Sequence, residues 1–333
     1  MTTPVLFAGG SGVVGRTAIK WFRERHRDLP IRVGGRDLQR ASQVAREVEG
    51  AEAIAIDLDK DRMGLDADTA LAAVVMLAPD NGLKGLNYAQ DLGVPYLNIG
   101  NGLIEVGPEI AHFAHRPGAA PIVFASHWSA GAPLFLALNS AKRFEHIQSI
   151  RIGVVLDEQE PVGPSSMEDM TRLHDSAPGA LAFKDGRRVW LTGDSAKDVI
   201  EAVDGRSLVG DAFAPFDIIS LHAATRAPDV RFDLVTDISS SRRAGHELAA
   251  EIIVEIEGES NGRTRHARST LEFKQGQDSL TGLGVVLSIS TALGLNGRPP
   301  VRPGLYLPEL LLDTQWFLDE LSEAGAIIHE ELR

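Results

Sequence analysis

Between residues 5 and 125, short apolar runs recur at 5–8, 31–33, 53–56, 72–77, 96–99 and 122–125. Each is nearly free of charge, which predicts strands buried on both faces of a parallel sheet. Between the first two runs, Val14, Ala18, Ile19 and Phe22 recur at helical spacing, with Arg16, Lys20, Arg23 and Arg27 on the opposite side. Strand followed by helix, repeated about six times, predicts a doubly wound α/β sheet. After Gly131 the pattern changes. Residues 133–141 read as a helix, and then Ile150, Ile152, Val154 and Leu156 fall on strictly alternate positions, the period of a strand with one wet face. Ala250, Ile252, Val254 and Ile256 alternate with Glu251, Glu255 and Glu257, and Ser260-Asn261-Gly262 then turns the chain into the run 264–273. Lys184-Asp185-Gly186-Arg187 predicts another hairpin. The middle of the chain therefore reads as an α+β domain with a mostly antiparallel sheet. Segments 279–293 and 308–321 read as closing helices. The expected division is 1–128, 129–296 and a helical segment 297–333 packing back on the first domain.

The first strand runs directly into Ala8-Gly9-Gly10-Ser11-Gly12-Val13-Val14-Gly15. Glycine costs entropy on folding, so four in this stretch imply a turn or an approach that a Cβ forbids. At a strand-to-helix junction, Gly10-x-Gly12-x-x-Gly15, or its variant beginning at Gly9, is the pattern that lays a dinucleotide diphosphate on free main-chain N–H groups. Gly9, Gly10, Ser11, Gly12, Val13, Val14 and Gly15 are the candidate diphosphate contacts. At the end of the second strand, where a carboxylate would favour NAD, the chain reads Gly34-Gly35-Arg36-Asp37. A guanidinium there pairs with a 2′-phosphate, so NADP is favoured over NAD, with Arg40 as a second positive charge and Asp37 as a helix cap. Asp57 and Leu58 end the third strand, where they can edge the adenine. Ala78 and Pro79 end the fourth, where the nicotinamide ribose would lie.

Composition narrows the picture. Acidic residues outnumber basic ones, 46 against 33, a balance that disfavours nucleic acid as a partner. There are no cysteines, which removes disulfides and thiolate chemistry and fits a cytoplasmic location. No apolar run approaches a bilayer-spanning length and no secretory signal is visible, so neither membrane association nor export is expected. His112 and His115 have the spacing of two metal ligands without a third, and read as a solvated helix face.

Several phrases together resemble the saccharopine dehydrogenase-like oxidoreductases: Gly9 to Gly15 followed by Gly35-Arg36-Asp37, the stretch from Leu92 to Asn101, and the ending from Gly297 through Pro308-Glu309. The resemblance covers the first 135 residues well, the last 30 loosely and the middle only in type. It implies a Rossmann domain, a catalytic domain with an open mixed sheet, and NADP(H)-dependent hydride transfer at a C–N bond of an amino-acid adduct. Asn98 and Asn101 stand where the family carries carboxylates, so saccharopine itself is not indicated as the substrate. A carbonyl or enoyl reductase on the same scaffold and a non-catalytic NADP sensor are the alternatives. Because the cofactor carries the hydride, the protein must place a small-molecule substrate and manage one proton. His127, which follows the sixth strand, is the candidate acid. Tyr96, Asn98 and Asn101 are candidates to hydrogen-bond nicotinamide or substrate, whereas Trp128 reads as packing. His174, Arg226, Arg242 and Arg243 are unranked candidates for a substrate carboxylate. A homodimer through the second domain's sheet is expected.

Overall fold

The computed structural model describes residues 3–66, 68–100, 102–161, 163, 171–172 and 177–333. Its contacts divide the chain into two compact units. The first takes Met1–Ser126, Gly163–Asp169 and Thr281–Leu312, and the second takes the remainder. Asn101 and His174 lie outside the described residues.

The first unit is built on strands β1 (Val5–Ala8), β2 (Ile31–Gly35), β3 (Ala51–Ala55), β4 (Ala73–Met76), β5 (Tyr96–Asn98) and β6 (Pro121–Phe124). A late strand, β15 (Gly304–Tyr306), joins them. All pairings are parallel, in the order β15-β6-β5-β4-β1-β2-β3. Every residue of β1, β4, β5 and β6 is buried, which is why these strands read as unbroken apolar runs. β3 differs from its expected burial. It is the edge strand, and its residues are half-buried or exposed. The strands are joined by α1 (Val13–Arg25), α2 (Leu38–Glu47), α3 (Lys84–Leu92) and α4 (Gly107–His115). α1 buries Gly15, Ala18, Ile19 and Phe22. Arg23, expected on its wet side, is half-buried and caps the helix end by donating to the carbonyls of His26, Leu29 and Arg27. The chain enters the sheet at its middle, builds β2 and β3 outward, then returns to β4 on the other side of β1. This reversal opens a crevice at the carboxyl ends of β1 and β4.

The second unit holds α5 (Ala132–Ala141), β7 (His146–Asp157), β8 (Ala180–Lys184), β9 (Arg187–Leu191), β10 (Lys197–Glu201) and β11 (Ser207–Ala212). α6 (Asp217–Thr225), β12 (Asp229–Asp237), α7 (Ser240–Arg243), β13 (Ala250–Ser260) and β14 (Arg263–Phe273) follow. Its sheet runs β10-β11-β12-β7-β13-β14-β16, where β16 is Ile327–Leu332, with β8 on β12 and β9 on β8. Among the described residues only β12 with β7 is parallel in this sheet. The two expected hairpins form, at Asp185-Gly186 and Asn261-Gly262, with positive φ at all four positions. One sheet face is covered by α5, which packs on β7, β13 and β14.

The other face is drier than strict alternation implies. Val155, Ile200, Leu208, Val235 and Ile253 form a buried cluster where the β10–β11 hairpin curls over the sheet. Gly153 makes room for this, because a Cβ there would stand 3.0 Å from the Ile200 side chain. Arg151 and Arg268 fasten the outer edge of β10 by donating to the carbonyls of Val199, Glu201 and Ala202. A strand edge capped in this way has little left to pair with a stranger. At the sheet's end, two buried carboxylates hold the segment before and within α7. Asp157 accepts from the Ser239 hydroxyl at 2.6 Å and from Arg242 at 3.0 Å. Glu251 accepts from the Ser240 main chain and hydroxyl.

Helix α8 (Gln277–Ala292) begins in the residues of the second unit and belongs to the first from Thr281 onward. The closing segment departs from the helical piece expected on the first domain. β15 and α9 (Pro308–Leu311) belong to the first unit. Asp313 then breaks the helix and caps a new one, α10 (Thr314–Glu323). The chain finally adds β16 (Ile327–Leu332) to β14 of the second sheet. Phe317 of α10 stacks on Phe135 of α5 at 4.1 Å.

Candidate active site

The glycine turn after β1 has no spare room. Gly9 takes φ +86°, and a Cβ on it would lie 3.1–3.2 Å from Leu77 and Ala78. A Cβ on Gly10 would meet the Phe7 carbonyl at 2.8 Å and Ile19 at 2.9 Å. One on Gly15 would lie 2.5 Å from the Gly9 carbonyl and 2.6 Å from the Gly10 Cα. Main-chain bonds from Gly9 and Gly10 to the Gly34 carbonyl pin the turn to β2. Gly12, by contrast, is exposed, and a Cβ there would meet only the Gly9 carbonyl, at 3.2 Å. Gly12 therefore keeps the outer lip of the turn bare. It occupies the N-cap position of α1, and no side chain caps that helix. The first-turn N–H groups of Val13, Val14 and Gly15 have no carbonyl behind them in the helix, and the helix dipole is positive at this end. A bare, uncapped, positively polarised lip fits a diphosphate.

The carboxyl end of β2 lies beside this turn, since a Cβ on Gly35 would stand 3.3 Å from the Ser11 hydroxyl. Asp37 caps α2, accepting from the N–H groups of Gln39 at 2.9 Å and Arg40 at 3.1 Å. It is therefore spent on the helix. Arg36 and Arg40 are both exposed and form no hydrogen bond or close ion pair among the described residues. Asp57 follows β3, half-buried next to half-buried Leu58. Its carboxyl is held below the usual range by the Asp59 N–H, then by Lys60, with Arg36 adding a smaller attraction.

Ala78 and Pro79 follow β4, half-buried, with Ala78 against Gly9. Asn98 is fully buried, and its side-chain oxygen accepts from the Gly100 N–H at 2.6 Å. It shapes the loop after β5 and presents no side chain to a ligand. Tyr96 is corrected in the same way. It is 0% exposed, donates to buried Asp80 at 3.1 Å and accepts from Asn98 at 3.0 Å. Asp80 in turn caps α3 through the N–H groups of Gly85 and Leu86. Burial pushes the Tyr96 hydroxyl well above its ordinary pKa, and its bonds with Asp80 and Asn98 keep it in the interior. Tyr96→Phe is expected to cost about 1–3 kcal/mol by leaving buried Asp80 and Asn98 short of a partner. The check is a urea denaturation curve, with dinucleotide affinity unchanged.

His127 also departs from its expected role. It is buried, its Nε2 lies 2.8 Å from the Ser220 hydroxyl on α6, and its ring packs against Phe216. Burial drives its pKa down to about 3, so at neutral pH the ring carries no acidic proton to give. Trp128 packs between Phe213 and Phe232, and its N–H group on the main chain donates to Asp217 at 2.7 Å. Among the second unit's arginines, Arg242 is committed to Asp157 and Glu158, and Arg243 to Asp204. Arg226 is exposed at the end of α6. A titratable group absent from the sequence reading is Asp278, in the first turn of α8, whose pKa burial raises to about 6. Burial is a tertiary property, and no spacing in the sequence announces it.

Fold and turn together define a two-unit α/β protein whose first unit carries a dinucleotide-type cradle at its strand reversal. No family model and no curated protein matches the sequence. Solved structures do match. The apo L-Glu-forming saccharopine dehydrogenase of Saccharomyces cerevisiae superposes with a TM-score of 0.68 at 16% identity, covering 99% of this chain and 100% of that one. GenD2 from gentamicin A biosynthesis, solved with NAD, gives 0.51 at 14% identity over 98% and 96% of the two chains. Myo-inositol 2-dehydrogenase of Lactobacillus plantarum gives 0.51 at 10% over 98% and 99%. At these identities the likeness establishes the fold.

Proposed function

We propose that this chain is an NADP(H)-dependent oxidoreductase of saccharopine dehydrogenase type. Its reaction is reversible hydride transfer to or from the C=N bond of an amino-acid-like substrate. The observation that carries the reading is the clearance-free glycine turn opening onto an uncapped helix, with Arg36 and Arg40 exposed and unpaired beside it. The fold shared with saccharopine dehydrogenase and with the NAD-bound GenD2 supports it. When bound, the nicotinamide supplies or accepts the hydride. The N–H groups at the start of α1 and the Ser11 hydroxyl hold the diphosphate, and Arg36 with Arg40 attracts the 2′-phosphate. Asp57 and Leu58 edge the adenine, while Ala78 and Pro79 wall the nicotinamide ribose.

With His127 neutral, the proton has to come from elsewhere. Asp278 is a carboxyl of the second unit whose pKa burial raises, and it takes the place of His127 as candidate acid in this reading. The rate of reduction should fall as pH rises through about 6, the value to which burial raises Asp278, and Asp278→Asn should remove that limb. The measurement is a pH–rate profile with NADPH in excess.

Arg36→Ala is expected to weaken NADPH binding about tenfold or more, the range for loss of a charge-assisted contact, while leaving NADH nearly unchanged. Equal losses by calorimetry would take Arg36 out of the 2′-phosphate site. The loss of the expected acid, His127, and of Tyr96 as a ligand contact favours one second reading, a non-catalytic NADP sensor. A chain that binds NADPH yet oxidises it with no imine, enone or carbonyl in a broad panel is that sensor.

A further inference from the structure

We infer that Gly282 of α8 is a positioning residue for the dinucleotide: it sets how closely α1 is pressed onto the glycine turn that receives the diphosphate. This rests on the reading of that turn as a dinucleotide cradle. Residues 281–292 of α8 are buried and belong to the first unit, and α8 meets α1 at Gly282 and the C-terminal cap of α1 at Ser290. A Cβ on Gly282 would lie 2.5 Å from Thr17 Oγ1, 2.7 Å from the Ala18 nitrogen and 3.0 Å from the Thr17 carbonyl carbon. Two of these three neighbours are main chain, so a side-chain rotation cannot relieve the overlap; α1 itself has to move. Farther along, His26 Nε2 meets the Ser290 hydroxyl at 2.7 Å. Going from Thr17 to His26 on α1 goes from Gly282 to Ser290 on α8, so the helices lie side by side in the same direction, tied at both ends.

The opposite side of α1 is equally tight. Gly15 touches the carbonyl of Gly9 and the Cα of Gly10 with no room for a Cβ. Thr17 links the two contacts, because its hydroxyl donates to the Val14 carbonyl at 2.9 Å. The first turns of α1 are therefore gripped between α8 and the glycine turn, and packed interiors pass on a displacement instead of absorbing it. A methyl group at 282 pushes the N–H groups of Val13 and Val14 relative to the turn they complete. Misplacement on the order of 1 Å in such a site costs tenfold or more.

The test is Gly282→Ala, titrated calorimetrically with NADPH and with NADH. Both dissociation constants should rise about tenfold, by a common factor, because the diphosphate is common to both. Stoichiometry should stay at one dinucleotide per folded chain. A merely structural role lowers the folded fraction and leaves the dissociation constant of that fraction at the wild-type value, which overturns the inference. Thr17→Val, of equal volume, breaks the bond to Val14 without adding bulk, and should weaken both dinucleotides about threefold. If Gly282→Ala does not fold, an unchanged Thr17→Val decides against the proposal. Wild-type chain that binds neither dinucleotide overturns the cradle reading and this inference together, whereas wild-type binding with unchanged variants overturns the inference alone.

Discussion

Gly15→Val is expected to abolish detectable dinucleotide binding and to destabilise the first unit by about 1–3 kcal/mol, the usual cost of overpacking. A Cβ at 15 would enter a space already held by the Gly9 carbonyl and the Gly10 Cα, at 2.5 and 2.6 Å. Valine adds two methyl groups beyond that Cβ. The helix has to lift off the turn, and the N–H groups that would share the diphosphate no longer converge. Fluorescence titration with NADPH checks the binding, and the urea midpoint checks the stability. Gly118→Ala serves as the control: a Cβ there meets nothing within 4 Å and the glycine has no positive φ, so both quantities should stay near wild type.

Much of the first unit was legible in the sequence for one physical reason. Strands buried on both faces are written as unbroken apolar runs, and β1, β4, β5 and β6 are of that kind. The glycine spacing was legible because close main-chain approach tolerates no other residue, and Asp37 because a cap is a local event. What failed depended on neighbours distant in sequence. Tyr96 and Asn98 sit where a ligand contact is plausible, yet Asp80, sixteen residues before Tyr96, draws the hydroxyl inward. His127 lost its acid role to burial against α6, some ninety residues away. Glu251 occupies a polar position in an alternating strand and reads as solvated, but Ser240 meets it in the interior. The final strand, Ile-Ile-His-Glu-Glu-Leu, is an edge strand rich in charge and carries no strand signature of its own.

Asp157→Ala is expected to cost about 3–5 kcal/mol, the range for removing one member of a buried ion pair. The carboxylate is 2% exposed and holds both polar groups of Ser239 as well as Arg242. Removing it leaves the two Ser239 donors without their acceptor and Arg242 with Glu158 alone. Burial by itself would raise the pKa of Asp157; hydrogen bonds from Ser239, the Gln159 main chain and Arg242 overcome that and bring it to about 2. A folded-state pKa below the unfolded value means that the unfolded chain binds the proton more readily. The stabilisation is therefore complete above the ordinary aspartate pKa of about 4 and is lost as pH falls toward 2. Urea curves between those pH values should show the wild type weakening steeply. Asp157→Asn, with nothing to protonate, should show a shallower fall.

The most direct test of the account is a crystal structure of the chain grown in saturating NADPH. The account predicts a diphosphate against the main-chain N–H groups at residues 13–15, with the Arg36 guanidinium on the 2′-phosphate. A turn without ligand at full dinucleotide concentration, or a dinucleotide seated elsewhere on the chain, would contradict it.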